Sequence, residues 1–159
     1  MRIISGFLGG RRIHPPAKMP YTRPTTDIAK EGLFNVLQNG LDFEALKTLD
    51  LFGGTGSISY ELASRGAPDL TIVEKDVQMH AFIQKTALAL GLENFKVVRS
   101  EVFRFIDQCA EQFDFIFAGP PYALQTIDEL PRKIFEKGLL KEGGWFVLEH
   151  TPRNNYEQF

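Results

Sequence analysis

Two short clusters in the sequence hold residues of the right types to do chemistry. The first is Asp50-Leu51-Phe52-Gly53-Gly54-Thr55-Gly56-Ser57, a carboxylate and an aromatic followed by a glycine-rich turn. Glycines there let the backbone turn tightly and approach a ligand closely. A second carboxylate, Glu74, ends the next apolar run 18 residues after Gly56. From that distance an acidic residue can hydrogen-bond the ribose of a nucleoside. A dinucleotide turn of the form G-x-G-x-x-G needs Gly or Ala at position 59, where Ser59 stands. Asp50 would also repel a pyrophosphate, but it suits a cation such as an amino-acid ammonium. A ligand with a ribose, an ammonium and no phosphate is S-adenosylmethionine. The competing reading is a glycine turn of purely structural use.

The second cluster is Gly119-Pro120-Pro121-Tyr122, which closes the apolar run Phe113-Asp114-Phe115-Ile116-Phe117-Ala118. Neither proline has an N–H to give a ladder, so a central strand must stop there at a stiff turn that presents an aromatic ring. Metal chemistry has little support. His14, His80 and His150 are isolated, and Cys109 is the only cysteine, so no internal disulfide or Cys-rich site can form.

The elements that must position these clusters follow from periodicity. Apolar runs at 48–52, 70–74, 95–98, 113–117 and 145–150 read as strands. Helical spacing is predicted over 57–67, 76–90, 102–109 and 127–137, with Gly66 and Gly91 as stops. Strands apolar throughout, alternating with helices, predict a mostly parallel sheet covered on both faces, an α/β Rossmann-like fold. Residues 1–45 read as an N-terminal extension, a small β unit followed by a helix capped by Thr25 or Thr26, packed on a main domain of 46–159.

Composition is that of an ordinary globular chain, with 43% hydrophobic and 24% charged residues. No apolar run nears the roughly 18 residues of a membrane span, and the start lacks the order of a signal peptide. A cytoplasmic, metal-free protein is expected. The net charge of −2 is unevenly spread. Residues 1–30 hold Arg2, Arg11, Arg12, Lys18, Arg23 and Lys30 against Asp27 alone. Such asymmetry points to a polyanion-binding arm, with a merely solvated basic terminus as the alternative.

The segments "DLFGGTGS", "VEKD" and "PPY", in this order, resemble the class I S-adenosylmethionine-dependent methyltransferases. "RIISGFLGGRRI", "RPTTDIAKEGLFN" and "LFGGTGSISYELASRGA" narrow the likeness to the RsmD-type enzymes, which methylate a guanine N2 in 16S ribosomal RNA. The resemblance spans essentially the whole chain. It implies that Asp50, Phe52, Gly54 and Gly56 line the methionine side of the cofactor, that Glu74 takes the ribose, and that Glu101 lies near the adenine. Arg23-Pro24-Thr25 would close over the site, and Arg2, Arg11, Arg12 and Arg23 would meet RNA. In that family the proline turn begins with Asp or Asn. Its side chain and the carbonyl of the next residue hold the amino group, while the aromatic stacks on the extruded base. Pro120, Pro121 and Tyr122 match, but Gly119 replaces the acceptor, and reduced activity is expected. The implied partner is ribosomal RNA or the small subunit, met by a monomer. Other amino-group acceptors (another RNA, DNA adenine) and a catalytically weak RNA-binding or assembly module stay open. The family also adds a C-terminal β-hairpin that this chain is expected to lack.

Overall fold

The computed structural model describes residues 1–17, 25–120 and 127–149. Five strands form one sheet: β1 (Lys47–Leu51), β2 (Asp69–Val73), β3 (Phe95–Val98), β4 (Phe113–Ala118) and β5 (Leu140–Leu148). Their order is β3-β2-β1-β4-β5, and every neighbouring pair is parallel. The helices are α1 (Asp27–Leu37), α2 (Ser57–Ser64), α3 (Val77–Ala89), α4 (Val102–Gln108) and α5 (Glu129–Glu136).

Side chains along each strand alternate between the two faces. Leu49, Leu51, Ile116 and Ala118 pack on Val102 and Ile106 of α4 and on Leu130 and Ile134 of α5. On the opposite face, Leu70, Phe115 and Phe117 pack on Phe34 and Leu37 of α1 and on Ile58 and Leu62 of α2. Both faces are therefore covered, as apolar strands require. Local signals set the helix starts. Thr26 Oγ1 accepts from the Ala29 N–H at 3.1 Å, and Asp76 Oδ2 accepts from the Met79 N–H at 2.9 Å. The order of strands reverses between β1 and β4, and at such a switch point a crevice opens at the strands' carboxyl ends. Both chemistry-bearing clusters follow these two strands.

The last strand starts earlier than its apolar pattern indicates. Phe113 pairs with Leu140 but Phe115 with Trp145, so β5 bulges through Lys141–Gly144. Gly143 has φ +80°, and a Cβ on Gly144 would stand 2.9 Å from the Asp114 carbonyl oxygen. Charged residues and two glycines hid this part of the strand. The expectation of a missing hairpin concerns residues past 149, outside the described ones.

The N-terminal residues are tied to α2 through polar contacts. Arg2 and Arg12 form an antiparallel bridge, and Ile3, Leu8 and Ile13 are buried against Tyr60, Ile72 and Ile83. Fully buried Glu61 is the hub. Its Oε1 accepts from the Ile4 N–H at 2.8 Å, and its Oε2 accepts from the Ser5 N–H at 3.0 Å and from Arg65 Nε at 2.9 Å. Lys30 Nζ lies 3.5 Å from Oε1 and donates to the Arg2 carbonyl at 2.6 Å. Burial lowers the Lys30 pKa, and Glu61 opposes that shift. Lys30, counted above with the basic arm, is thus an interior group and not part of any surface. Arg2 is half-exposed and sits 3.5 Å from Asp27.

Candidate active site

Leu51 ends β1, and the next residues reverse the chain into α2. Phe52 does so with φ +60°, a conformation rare for a bulky residue and a mark of functional loops. Two glycines are required by packing. A Cβ on Gly53 would lie 2.3 Å from Ile72 Cγ2, and one on Gly56, at φ +85°, would lie 2.5 Å from Cζ of the buried Tyr60 ring. The Gly54 N–H donates to Glu74 Oε1 at 2.8 Å, and the Asp76 N–H donates to Glu74 Oε2 at 2.9 Å. Glu74, at the end of β2, therefore braces the loop, and each of its oxygens keeps a further lone pair.

The loop forms one wall of an open cleft at the switch point. Asp50, Phe52, Gly54, Thr55 and Ser57 contribute from the β1 side; Phe117, Gly119 and Glu149 from the ends of β4 and β5; and Thr25 from the residue before the α1 cap. Asp50 is 2% exposed, and its Oδ2 accepts from Ser59 Oγ at 2.8 Å. Burial pushes its pKa up to about 7, Glu74 adds to the rise, and the Ser59 bond opposes it. The carboxylate is thus held on the edge of ionisation, and a cation beside it would complete it. The Ser57 hydroxyl is buried at the start of α2 with no hydrogen-bond partner among the described residues. A zwitterionic amino acid fits this pair, its ammonium on Asp50 and its carboxylate at Ser57 and the positive end of the helix.

The residues singled out from sequence divide into three groups. Asp50, Phe52, Gly54, Thr25 and Gly119 meet in the cleft, with Glu74 directly behind the loop. Pro120 is half-buried beside Gly119. Gly56 sits against the Tyr60 ring, where a Cβ would not fit. Glu101 caps α4, its carboxylate accepting from the N–H groups of Phe103 and Arg104 at 2.9 and 3.2 Å. Any adenine contact would have to share that carboxylate. Arg11 and Arg12 are exposed on the N-terminal unit, whose Met1 Sδ touches Thr55 Oγ1 at 3.3 Å and so joins it to the cofactor loop. Pro121, Tyr122 and Arg23 lie outside the described residues.

Sequence reasoning missed Ser57, Ser59, Phe117 and Glu149. Ser57 and Ser59 had a readable signal, the helical spacing from the loop. Glu149 had none, because only strand pairing brings it to Gly119. Among the described residues no group of three or more side chains could hold a metal ion, and no helix is long and apolar enough to cross a membrane.

Comparison with known proteins bears on this cleft. A family model described as Conserved hypothetical protein 95 matches residues 1–159. Ribosomal RNA small subunit methyltransferase D of Escherichia coli (strain K12) is 32% identical over 154 residues, covering 97% of this chain and 76% of that protein. The protein of the same name from Haemophilus influenzae is 30% identical, covering 94% and 78%. Among solved structures, a hypothetical protein of Thermus thermophilus superposes with a TM-score of 0.87 at 28% identity, covering 99% of this chain and 90% of the other. A full-length family match, these relatives and a Rossmann-like sheet with its cleft at the β1–β4 switch agree with one another: the chain belongs to the RsmD family of methyltransferases.

Proposed function

We propose that this protein transfers a methyl group from S-adenosylmethionine to the exocyclic N2 of a guanine in small-subunit ribosomal RNA. One observation carries the reading: a buried carboxylate fit for an ammonium, Asp50, opens on the same cleft as the end of β4, in a chain whose relatives are named rRNA small subunit methyltransferases. Bound there, the cofactor supplies an electrophilic methyl on a sulfonium.

The chain's own residues supply position and polarity. Asp50 and Ser57 hold the amino-acid end, and Glu74 offers its remaining lone pairs to the ribose. Phe52 and Phe117 add apolar surface to the cleft. The guanine amino group is a poor nucleophile because its lone pair is delocalised into the ring. Acceptors that take its N–H groups localise that lone pair, and the Pro120 carbonyl is one of them. Tyr122 is proposed to stack on the extruded base, and Arg11, Arg12, Arg23 and Arg2 to meet phosphates.

The test is incubation of small-subunit rRNA, free and in subunits, with labelled cofactor, followed by digestion and mass spectrometry of nucleosides. N2-methylguanosine is the expected product. Label in another nucleoside, or in none, would overturn the assignment.

A further inference from the structure

We propose that Glu149, just past β5 and beside Gly119 at the end of β4, is an acceptor for the substrate amino group alongside the Pro120 carbonyl. The inference deepens the guanine reading above and rests on it for the identity of the base.

Strand register carries the argument. Phe117 pairs with Val147 and Ala118 with Leu148, and the Glu149 N–H donates to the Ala118 carbonyl at 2.9 Å, closing that last pair and fixing Glu149 as the next residue beside Gly119. Side chains alternate along a strand. Phe117 and Val147 both pack toward α1 and α2, so the positions two residues on, 119 and 149, belong to that same face. Both line the cleft that holds Asp50. Neighbouring strands lie about 4.8 Å apart, and a glutamate reaches one methylene further than an aspartate. The Glu149 carboxylate can therefore stand over the Gly119 Cα, near where an aspartate at 119 would place its own. A Cβ on Gly119 would stand 3.2 Å from Phe117 Cε1, so a side chain there requires the ring to give by a few tenths of an ångström.

In the reaction, the amino nitrogen forms a bond to the methyl carbon as the carbon–sulfur bond breaks, its electrons neutralising the sulfonium. The nitrogen then gives up one proton. Glu149 accepts a hydrogen bond from that N–H before transfer and takes the proton after it, releasing it to solvent.

Two readouts test this, one of them independent of turnover. The first is affinity for guanosine monophosphate against inosine monophosphate, which lacks the amino group, by NMR titration with S-adenosylhomocysteine present. The intact protein should prefer guanosine monophosphate by ~10-fold, and Glu149→Ala should erase the preference. The second is methyl incorporation into small-subunit rRNA, which Glu149→Ala should lower by ~10²-fold. Gly119→Asp added to Glu149→Ala should restore both in part, the added side chain obliging the Phe117 ring to shift. If Glu149→Ala keeps both the guanine preference and the incorporation, the proposal is overturned. If the intact protein methylates no guanine, the functional reading falls, and the nucleotide comparison still decides the role of Glu149.

Discussion

The Ser59 hydroxyl donates a 2.8 Å hydrogen bond to the buried Asp50 carboxylate, across the loop that opens the cleft. Position 59 is where a dinucleotide turn would carry Gly or Ala. A hydroxyl there steadies the negative charge that a pyrophosphate site would need to avoid. The departure from the dinucleotide pattern is thus itself part of the site.

Removing that bond should be felt by the cofactor. Ser59→Ala takes away the hydroxyl that steadies the Asp50 charge, so the Asp50 pKa should rise further and its affinity for an ammonium fall. Hydrogen bonds to charged groups contribute about 1.5–3 kcal/mol, so calorimetry near neutral pH should show S-adenosylmethionine binding weakened ~10- to 100-fold. Unchanged affinity would mean that Asp50 does not meet the ammonium.

Asp50 itself should trade stability for binding. Its folded pKa, about 7, lies above the usual carboxylate value. The folded state therefore binds more protons than the unfolded chain between about pH 4 and pH 7. The stability this contributes is full below the unfolded pKa and is lost as pH rises through about 7. Asp50→Asn should remove that dependence and stabilise the ligand-free protein at pH 8 by up to ~4 kcal/mol, while abolishing cofactor binding. Thermal unfolding of both forms at pH 5 and pH 8 checks it, and a variant no more stable than the parent at pH 8 would refute it.

Much of this architecture was readable from sequence because a doubly covered parallel sheet writes itself as apolar runs. The runs at 95–98 and 113–117 match β3 and β4 to within a residue. Asp50 and Glu74 were readable because each lies at a strand end. What escaped depends on contacts between distant segments. Glu149 lies 30 residues from Gly119 in the chain and reaches it only through β4–β5 pairing. Lys30 looks like one more surface cation until Glu61, on another helix, takes it inside. Glu101 shows the reverse, a residue placed by family analogy whose local position just before Val102 already suits a helix cap.

The Glu61 hub should hold the N-terminal residues in place. Glu61→Ala leaves the Ile4 and Ser5 N–H groups without their acceptor and the buried Lys30, still bonded to the Arg2 carbonyl, without its counter-charge. Breaking one side of a buried ion pair typically costs about 3–5 kcal/mol. Urea unfolding should register a loss of that size, and Lys30→Met added to it should recover part. Full stability in Glu61→Ala would show that the buried pair is dispensable.

The exposed arginines make the last prediction, about RNA. Arg11 and Arg12 project from a unit clamped to α2 by Glu61 and Ser64 and joined to the cofactor loop through Met1 and Thr55. A phosphate-contacting cation adds about 0.7–0.9 to the slope of log affinity against log salt. Replacing both by Ala should lower the slope for small-subunit rRNA by about 1.5, with S-adenosylmethionine affinity unchanged because neither lines the cleft. Since Lys30 is interior, Lys30→Met should leave the slope untouched. A loss of slope in Lys30→Met equal to that of the arginine pair would shift the RNA contact away from this arm and onto the packing beneath it.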